Sequence, residues 1–144
     1  MIKIGKDISG FSTYSCQPKT KREMICAIND RITKYGPECD LNDIDTSLID
    51  DMSYLFYSSK FNGNISRWDV SNVVNMNRMF SLSEFNGDIS SWDVHNVRDM
   101  SYIFYGSKFN RNIRGWEISK DCDIKPMKLN LECNKNEDSN RSHK

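Results

Sequence analysis

Few residues in this 144-residue chain have the types and spacing that catalysis or metal binding requires. The two histidines are His95 and His143, and neither has a nucleophile or base at a spacing typical of a catalytic site. The five cysteines form no Cys-x-x-Cys pair and have no neighbouring histidine, so the sequence signals neither a zinc site nor a disulfide framework. We therefore expect no catalytic residues, no metal site, no cofactor and no enzymatic activity.

Tyrosine and arginine, the residue types enriched at protein-binding hot spots, recur at equivalent positions of a 24-residue pattern. One position holds Tyr54, Arg78 and Tyr102, and a second holds Tyr57, Ser81 and Tyr105. The sequence predicts a protein-binding surface formed by Tyr54, Tyr57, Arg78, Tyr102 and Tyr105. The alternative is that these rings only cover neighbouring repeats and the methionine edge of the core.

A second candidate face is acidic and consists of Asp69, Asp93, His95 and Glu117. Carboxylates stacked one repeat apart repel each other, so a neutralising group is expected. Three sources stay open: hydrogen bonds from each carboxylate's own turn, a basic partner, or a bound cation. Calcium requires six to eight converging oxygens, and a straight column of carboxylates does not obviously converge.

These residues belong to three consecutive repeats of 24 residues, preceded by a degenerate half-repeat. Tryptophan recurs at 68, 92 and 116, and phenylalanine and methionine keep the same spacing. The predicted boundaries are 41–50 for the half-repeat and 51–74, 75–98 and 99–122 for the repeats. Asparagine recurs too, and we expect its side chains to be buried against turn backbone.

Each repeat combines a helical pattern with an alternating one. Met52, Leu55 and Phe56 lie at i, i+3 and i+4 behind a capping Asp51, which predicts one helical turn. In Ile65-x-x-Trp68-Asp69-Val70 the alternation predicts a short strand. Stacked repeats bury a continuous core. The predicted fold is α/β: a short solenoid with a parallel β-sheet and one helical turn per repeat.

The ends are expected to act as caps. Residues 1–40 are predicted to hold a strand or hairpin and an amphipathic helix over about 21–35, which begins at a Thr20-x-x-Glu23 capping box and ends at Gly36-Pro37. Isoleucine and tyrosine at 25, 28, 32 and 35 give the helix its predicted apolar face. Residues 123–144 are predicted to form a cap remnant and a disordered polar tail.

The segments FNGDISSWDVHNVRDM and FNGNISRWDVSNVVNM closely resemble the repeats of the BspA-like leucine-rich repeat family. Those repeats are approximately Phe-Asn-x-Asp-Ile-Ser-x-Trp-Asp-Val-Ser-Asn-Val-x-Asn-Met-x-x-Met-Phe, and the resemblance covers about residues 41–122. It implies that the predicted solenoid is right-handed and leucine-rich-repeat-like, and that the protein is a non-enzymatic recognition protein. Relatives in that family often lie at the cell surface, where they are thought to contact host matrix or other cells.

Charge and hydropathy restrict the classes of partner that we expect. Twenty basic residues balance twenty acidic ones, which excludes a polybasic nucleic-acid binder as a property of the whole chain. No apolar run approaches the ~18 residues of a membrane helix, and Met1–Asp7 lacks the pattern of a secretory signal. We therefore expect a cytoplasmic or host-cell intracellular protein whose partner is another protein, with no membrane or nucleic acid.

Two further functions stay open from the sequence. One is a viral or mobile-element inhibitor that binds and occludes a host defence enzyme, such as a nucleic-acid-guided nuclease. The other is a fragment of a longer adhesin. Both would use the same repeats as the protein-protein recognition module that we take as the leading hypothesis.

Overall fold

The computed structural model describes residues 14–126, which form one α-helix followed by stacked repeats. The predicted strand or hairpin before residue 14 and the predicted disordered tail after residue 126 lie outside the described residues. Within that range no helix is long and apolar enough to cross a membrane.

The helix α1 spans Lys21–Tyr35. The N–H of Glu23 donates to Thr20 Oγ1 at 3.1 Å, as in the predicted capping box, while Glu23 Oε1 accepts from the N–H of Lys19 at 2.7 Å. At the other end the N–H of Gly36 donates to the carbonyl of Ile32 at 2.8 Å. The predicted apolar face is wrong in part. Ile28 is buried, but the other fully buried side chain is Met24, while Ile25 and Tyr35 are exposed.

The predicted α/β solenoid with a parallel β-sheet is wrong. Apart from α1, residues 14–126 contain isolated parallel bridges of one residue each and no sheet. Where the alternation predicts a strand, the N–H of Trp68 donates to the carbonyl of Ile65 at 3.2 Å, so the chain turns instead of extending. Trp68 and Val70 are still buried and Asp69 exposed, because alternating turns satisfy the same pattern as a strand.

The predicted helical turn is instead a run of tight turns. The N–H of Leu55 donates to the carbonyl of Met52 at 3.2 Å within the repeat. The N–H groups of Met52 and Phe56 donate to the next repeat, to the carbonyls of Asn75 and Met79, both at 2.8 Å. Alternate backbone groups therefore bond within a repeat and between repeats, which satisfies the buried backbone without a β-ladder.

Three of the bridges, Asp51–Asn75, Asn75–Asp99 and Asp99–Asp123, join one position of successive repeats that is occupied by Asp or Asn. In the three repeats each of these side chains accepts a hydrogen bond from the N–H two residues ahead, at 2.9 Å, in the pairs Asp51–Ser53, Asn75–Asn77 and Asp99–Ser101. Such Asx turns compete with helix formation, since they offer the N–H a side-chain acceptor. The residues expected to cap a helix therefore start a turn.

The core between the turns is a set of aromatic columns. Successive phenylalanines stack at 5.6 Å (Phe56–Phe80) and 5.8 Å (Phe80–Phe104) between ring centroids, and successive tryptophans stack at 6.4 Å. Each indole N–H also donates to a carbonyl of the preceding repeat at 2.9–3.1 Å, to Leu41, Ile65 and Ile89 in turn. The tryptophans therefore tie one repeat to the next through both packing and polar contacts.

The asparagine columns are not buried as predicted. Asn72 and Asn96 lie at the surface, exposed and half-buried respectively, and their Nδ2 groups donate to the carbonyls of Ser47 and Ser71 in the preceding repeat at 2.8 and 2.7 Å. These side chains therefore link successive repeats at the surface and not in the core.

Candidate functional site

The tyrosine–arginine face is built on backbone in the left-handed region. Tyr54, Arg78 and Tyr102 have φ values of 59°, 53° and 57°, a conformation that costs a non-glycine residue about 1–2 kcal/mol. Each lies between a turn hydrogen bond and a bond to a neighbouring repeat. The regular bonding around each of them therefore holds a strained residue with its side chain at the surface.

Arg78 lies between two tyrosines at this face. Its guanidinium carbon is 4.3 Å from the ring centroid of Tyr102 and 5.9 Å from that of Tyr54, distances at which a cation is attracted to an aromatic face. Arg78 is half-buried, and Tyr54 is 48% exposed. The three side chains form a continuous column with a fixed cation in its centre.

The second column of the face is interrupted. Tyr57 and Tyr105 are 43% and 41% exposed, but the equivalent residue of the middle repeat, Ser81, is buried and donates its hydroxyl to the carbonyl of Tyr105 at 3.0 Å. The structure thus brings together all five residues predicted for the tyrosine–arginine face. The middle repeat contributes only Arg78 to it.

The tyrosines are also supported within their own repeats. Ring centroids of Tyr54 and Tyr57 lie 5.3 Å apart, and those of Tyr102 and Tyr105 lie 5.6 Å apart in an edge-on arrangement. Aromatic pairs in this range contribute about 0.5–1.5 kcal/mol beyond burial. The rings are therefore held in place before any partner arrives.

Sequence reasoning missed one apolar member of this region. Leu82 is 48% exposed and has a left-handed φ of 58°. It lies against Gly106, where an added Cβ would be 2.6 Å from Leu82 Cδ2. The glycine at the equivalent position of the third repeat was the available signal, because it marks a backbone site that favours positive φ.

The acidic face consists of carboxylates bound within their own turns. Asp69 Oδ1 accepts from the N–H and the hydroxyl of Ser71 at 3.0 and 2.6 Å. Asp93 Oδ1 lies 2.6 Å from His95 Nδ1 and accepts from the His95 N–H at 3.2 Å. The hydrogen bond from His95 lowers the pKa of the Asp93 carboxyl. Glu117 is exposed at the equivalent position.

No convergent metal site occurs in the described part of the chain. Among residues 14–126, no group of three or more His, Cys, Asp or Glu side chains is placed to hold an ion. The Cys16, Cys39 and Cys122 thiols are half-buried, and burial is the main cause that raises the pKa of each. A raised pKa disfavours the thiolate, which is the nucleophile and the metal ligand.

Residues 27–140 match the family described as "Mycoplasma protein of unknown function, DUF285". None of the curated proteins and none of the solved structures matches the chain. The matched range covers the second half of α1 and all three repeats, including both candidate faces.

Proposed function

Because the chain belongs to the DUF285 family, whose function is unknown, we propose its function from the geometry of the tyrosine–arginine face. The protein is a non-enzymatic recognition module that binds another protein through Tyr54, Tyr57, Arg78, Tyr102 and Tyr105. The acidic face is the weaker candidate, since the carboxylates of Asp69 and Asp93 already accept hydrogen bonds from their own turns.

The observation that carries this proposal is the position of Arg78 between the rings of Tyr54, which is exposed, and Tyr102, which is half-buried. In residues 14–126 the ion pairs join Lys21 to Asp51, Arg31 to Asp43 and His95 to Asp93. Arg78 is in none of them. A guanidinium held by rings and not neutralised by a carboxylate loses little side-chain freedom on binding, and this favours it as an anchor.

The exposure of the tyrosine side chains also supports a binding function. If they served only to cover the neighbouring repeats, we would expect them to be buried, but Tyr54, Tyr57 and Tyr105 are all more than 40% exposed. Tyrosine and arginine together supply contact area, hydrogen-bond donors and a fixed charge, which is the composition of binding hot spots.

Peptide selection tests this function while the natural partner is still unidentified. The purified chain is immobilised and used to select from a phage-displayed library of random linear peptides. We expect enriched sequences that lose at least tenfold in affinity for a variant with alanine at all five positions. A Tyr35→Ala variant is the matched control, because Tyr35 is an exposed aromatic on α1, 66% accessible.

Fold is checked in parallel by thermal unfolding of each variant. Failure to enrich any sequence, or enriched peptides that bind the five-alanine variant as well as the unmodified chain, would contradict the proposed function. Equal loss in the Tyr35→Ala variant would show that binding is not specific to the tyrosine–arginine face.

A further inference from the structure

The second column of the face lacks a ring in its middle repeat. The buried phenylalanines one residue earlier in each repeat stack at 5.6 and 5.8 Å, with the ring of Phe80 filling the middle position. Tyr57 and Tyr105 follow Phe56 and Phe104 directly in sequence. They occupy the same position two repeats apart, and the residue at that position in the middle repeat is Ser81, which has no ring.

From this gap we infer that the partner inserts one aromatic side chain, next to a carboxylate, between Tyr57 and Tyr105. This inference rests on the proposed function and specifies what the tyrosine–arginine face recognises. The inserted ring would complete the column at the spacing that the core already uses, and offset aromatic pairs at such distances are favourable.

The walls of the gap are held apart by their own repeats. Tyr57 packs on Tyr54 and Tyr105 packs on Tyr102, and Arg78 lies between Tyr54 and Tyr102. Closing the gap without a partner would require both tyrosines to leave these contacts. The floor is small and polar, since Ser81 is buried and its hydroxyl bonds to a backbone carbonyl.

The charge around the gap selects an anionic aromatic group. Two tyrosine rings also suit a cation, but Arg78 already places a positive charge in the adjacent column, so a second cation is repelled. A carboxylate beside the inserted ring would instead pair with the Arg78 guanidinium, which can bind it in two-point fashion. Leu82, the residue after Ser81, is exposed and adds an apolar side chain to this region.

A protein segment is favoured over a nucleotide. Glu84 occupies the middle repeat at the position where the flanking repeats carry Lys60 and Lys108. A phosphate backbone requires clustered cations along its track, and this acidic residue interrupts them.

The experiment measures ring-proton NMR shifts of the tyrosines of the face during titration with small probes. N-acetyl-phenylalanine supplies the ring and the carboxylate, N-acetyl-phenylalanine amide supplies the ring alone, N-acetyl-arginine amide supplies a cation, and adenosine monophosphate supplies a base and a phosphate. We expect saturable shifts at Tyr57 and Tyr105 with N-acetyl-phenylalanine at millimolar affinity, as befits a ligand of this size. The amide is expected to bind at least threefold more weakly.

Two variants of one residue form the matched pair. Ser81→Tyr fills the gap with the residue that the flanking repeats carry, so we expect the fold to persist and binding to be lost. Ser81→Ala keeps the gap open and should retain binding. The Arg78→Gln variant should bind the acid and the amide equally well.

Several outcomes would overturn the inference: absence of saturable shifts at Tyr57 and Tyr105, binding that survives Ser81→Tyr, tighter binding of the arginine probe, or tighter binding of adenosine monophosphate. If Ser81→Tyr does not fold, Tyr57→Ala replaces it and must lose binding while Tyr35→Ala does not. Selected peptides that require the five face residues but tolerate Ser81→Tyr would reject the inserted ring and leave the proposed function standing.

Discussion

The contacts that join one repeat to the next differ in kind from those that join α1 to the repeats. Repeat joins to repeat through backbone hydrogen bonds and stacked rings, neither of which carries net charge. α1 joins the repeats through two buried side chains, Met24 and Ile28, and through the ion pairs of Lys21 and Arg31. The stack should therefore resist changes of pH and salt that weaken the attachment of the helix.

The largest loss of stability is expected when a central ring of the stack is removed. Phe80 contacts the rings of Phe56, Phe85 and Phe104 at 4.7–5.8 Å and is fully buried. We expect Phe80→Ala to lower the free energy of unfolding by about 3–5 kcal/mol, measured by urea denaturation. Hydrogen exchange should rise in all three repeats.

Ile28→Ala is the counterpart in the helix. It leaves a cavity under α1, and faster hydrogen exchange should be confined to α1. If Ile28→Ala released the repeats as fully as Phe80→Ala does, the two regions would be one cooperative unit and the contrast would be wrong.

The junction between the two regions is tested by Gly63→Ala. A Cβ at Gly63 would lie 1.9 Å from the carbonyl oxygen of Cys39, and that same oxygen accepts the N–H of Asn64 at 3.2 Å. We expect a loss of about 3 kcal/mol, since backbone must move. Gly115→Ala is the control, because the nearest atom to its Cβ is 4.0 Å away, and it should change the unfolding free energy by less than about 0.5 kcal/mol.

A smaller effect is expected from the ion pair that anchors the C-terminal half of α1. Arg31 Nη2 lies 2.8 Å from Asp43 Oδ2, and Ser15 also donates to that carboxylate. Burial alone raises the pKa of Asp43, but the hydrogen bonds from Arg31 and Ser15 outweigh it and hold the pKa below its ordinary value. We expect Asp43→Asn to cost about 1–2 kcal/mol at neutral pH.

The sign of the pH dependence follows from the lowered pKa. The stabilisation from Asp43 is fully present above its ordinary pKa and is lost as the pH falls through the lowered value. Far-UV circular dichroism from pH 7 to pH 2 should therefore show α1 loosening in acid. The Asp43→Asn variant should show a smaller acid step, and the remainder comes from Asp51, which pairs with Lys21 and also has a lowered pKa. An Asp30→Asn variant, altered at an exposed position of the same helix, should retain the full acid step.

The smallest expected effect concerns backbone strain within the stack. Ser58 has a φ of 55°, and the third repeat has Gly106 at the equivalent position. Ser58→Gly relieves the strain and should raise the unfolding free energy by about 0.5–1 kcal/mol, measured by thermal denaturation. Gly106→Ala should lower it by at least as much, because the added Cβ would also lie 2.6 Å from Leu82 Cδ2. A loss of stability in Ser58→Gly would contradict the assignment of strain.

The repeat length, the core columns and the helix follow from the sequence because each depends on residue spacing alone. Trp68 and its equivalents mark the period, and Thr20 with Gly36 marks both ends of α1. The backbone path does not follow, since the pattern that predicts a strand at Ile65–Val70 is equally satisfied by a turn that buries the same side chains. Stacking overrides local preference here.

The tyrosine–arginine face could also be predicted from the sequence only in part. Its residues could be chosen by comparing the repeats, but the left-handed backbone of Tyr54 and Arg78 has no signature in tyrosine or arginine. The gap at Ser81 cannot be recognised from the sequence either, because it depends on where the neighbouring rings lie. What the sequence lacked was the geometry between repeats, which depends on long-range pairing.

The bonds between repeats run along the direction in which the repeats stack. The donors of Met52 and Phe56 meet acceptors of the next repeat, and the donors of Met76 and Phe80 meet those of the one after. Tension applied along the stack would therefore separate the repeats one interface at a time. Each released unit would add 24 residues, or about 80 Å of extended chain, so the protein would lengthen under force in equal steps set by its repeat.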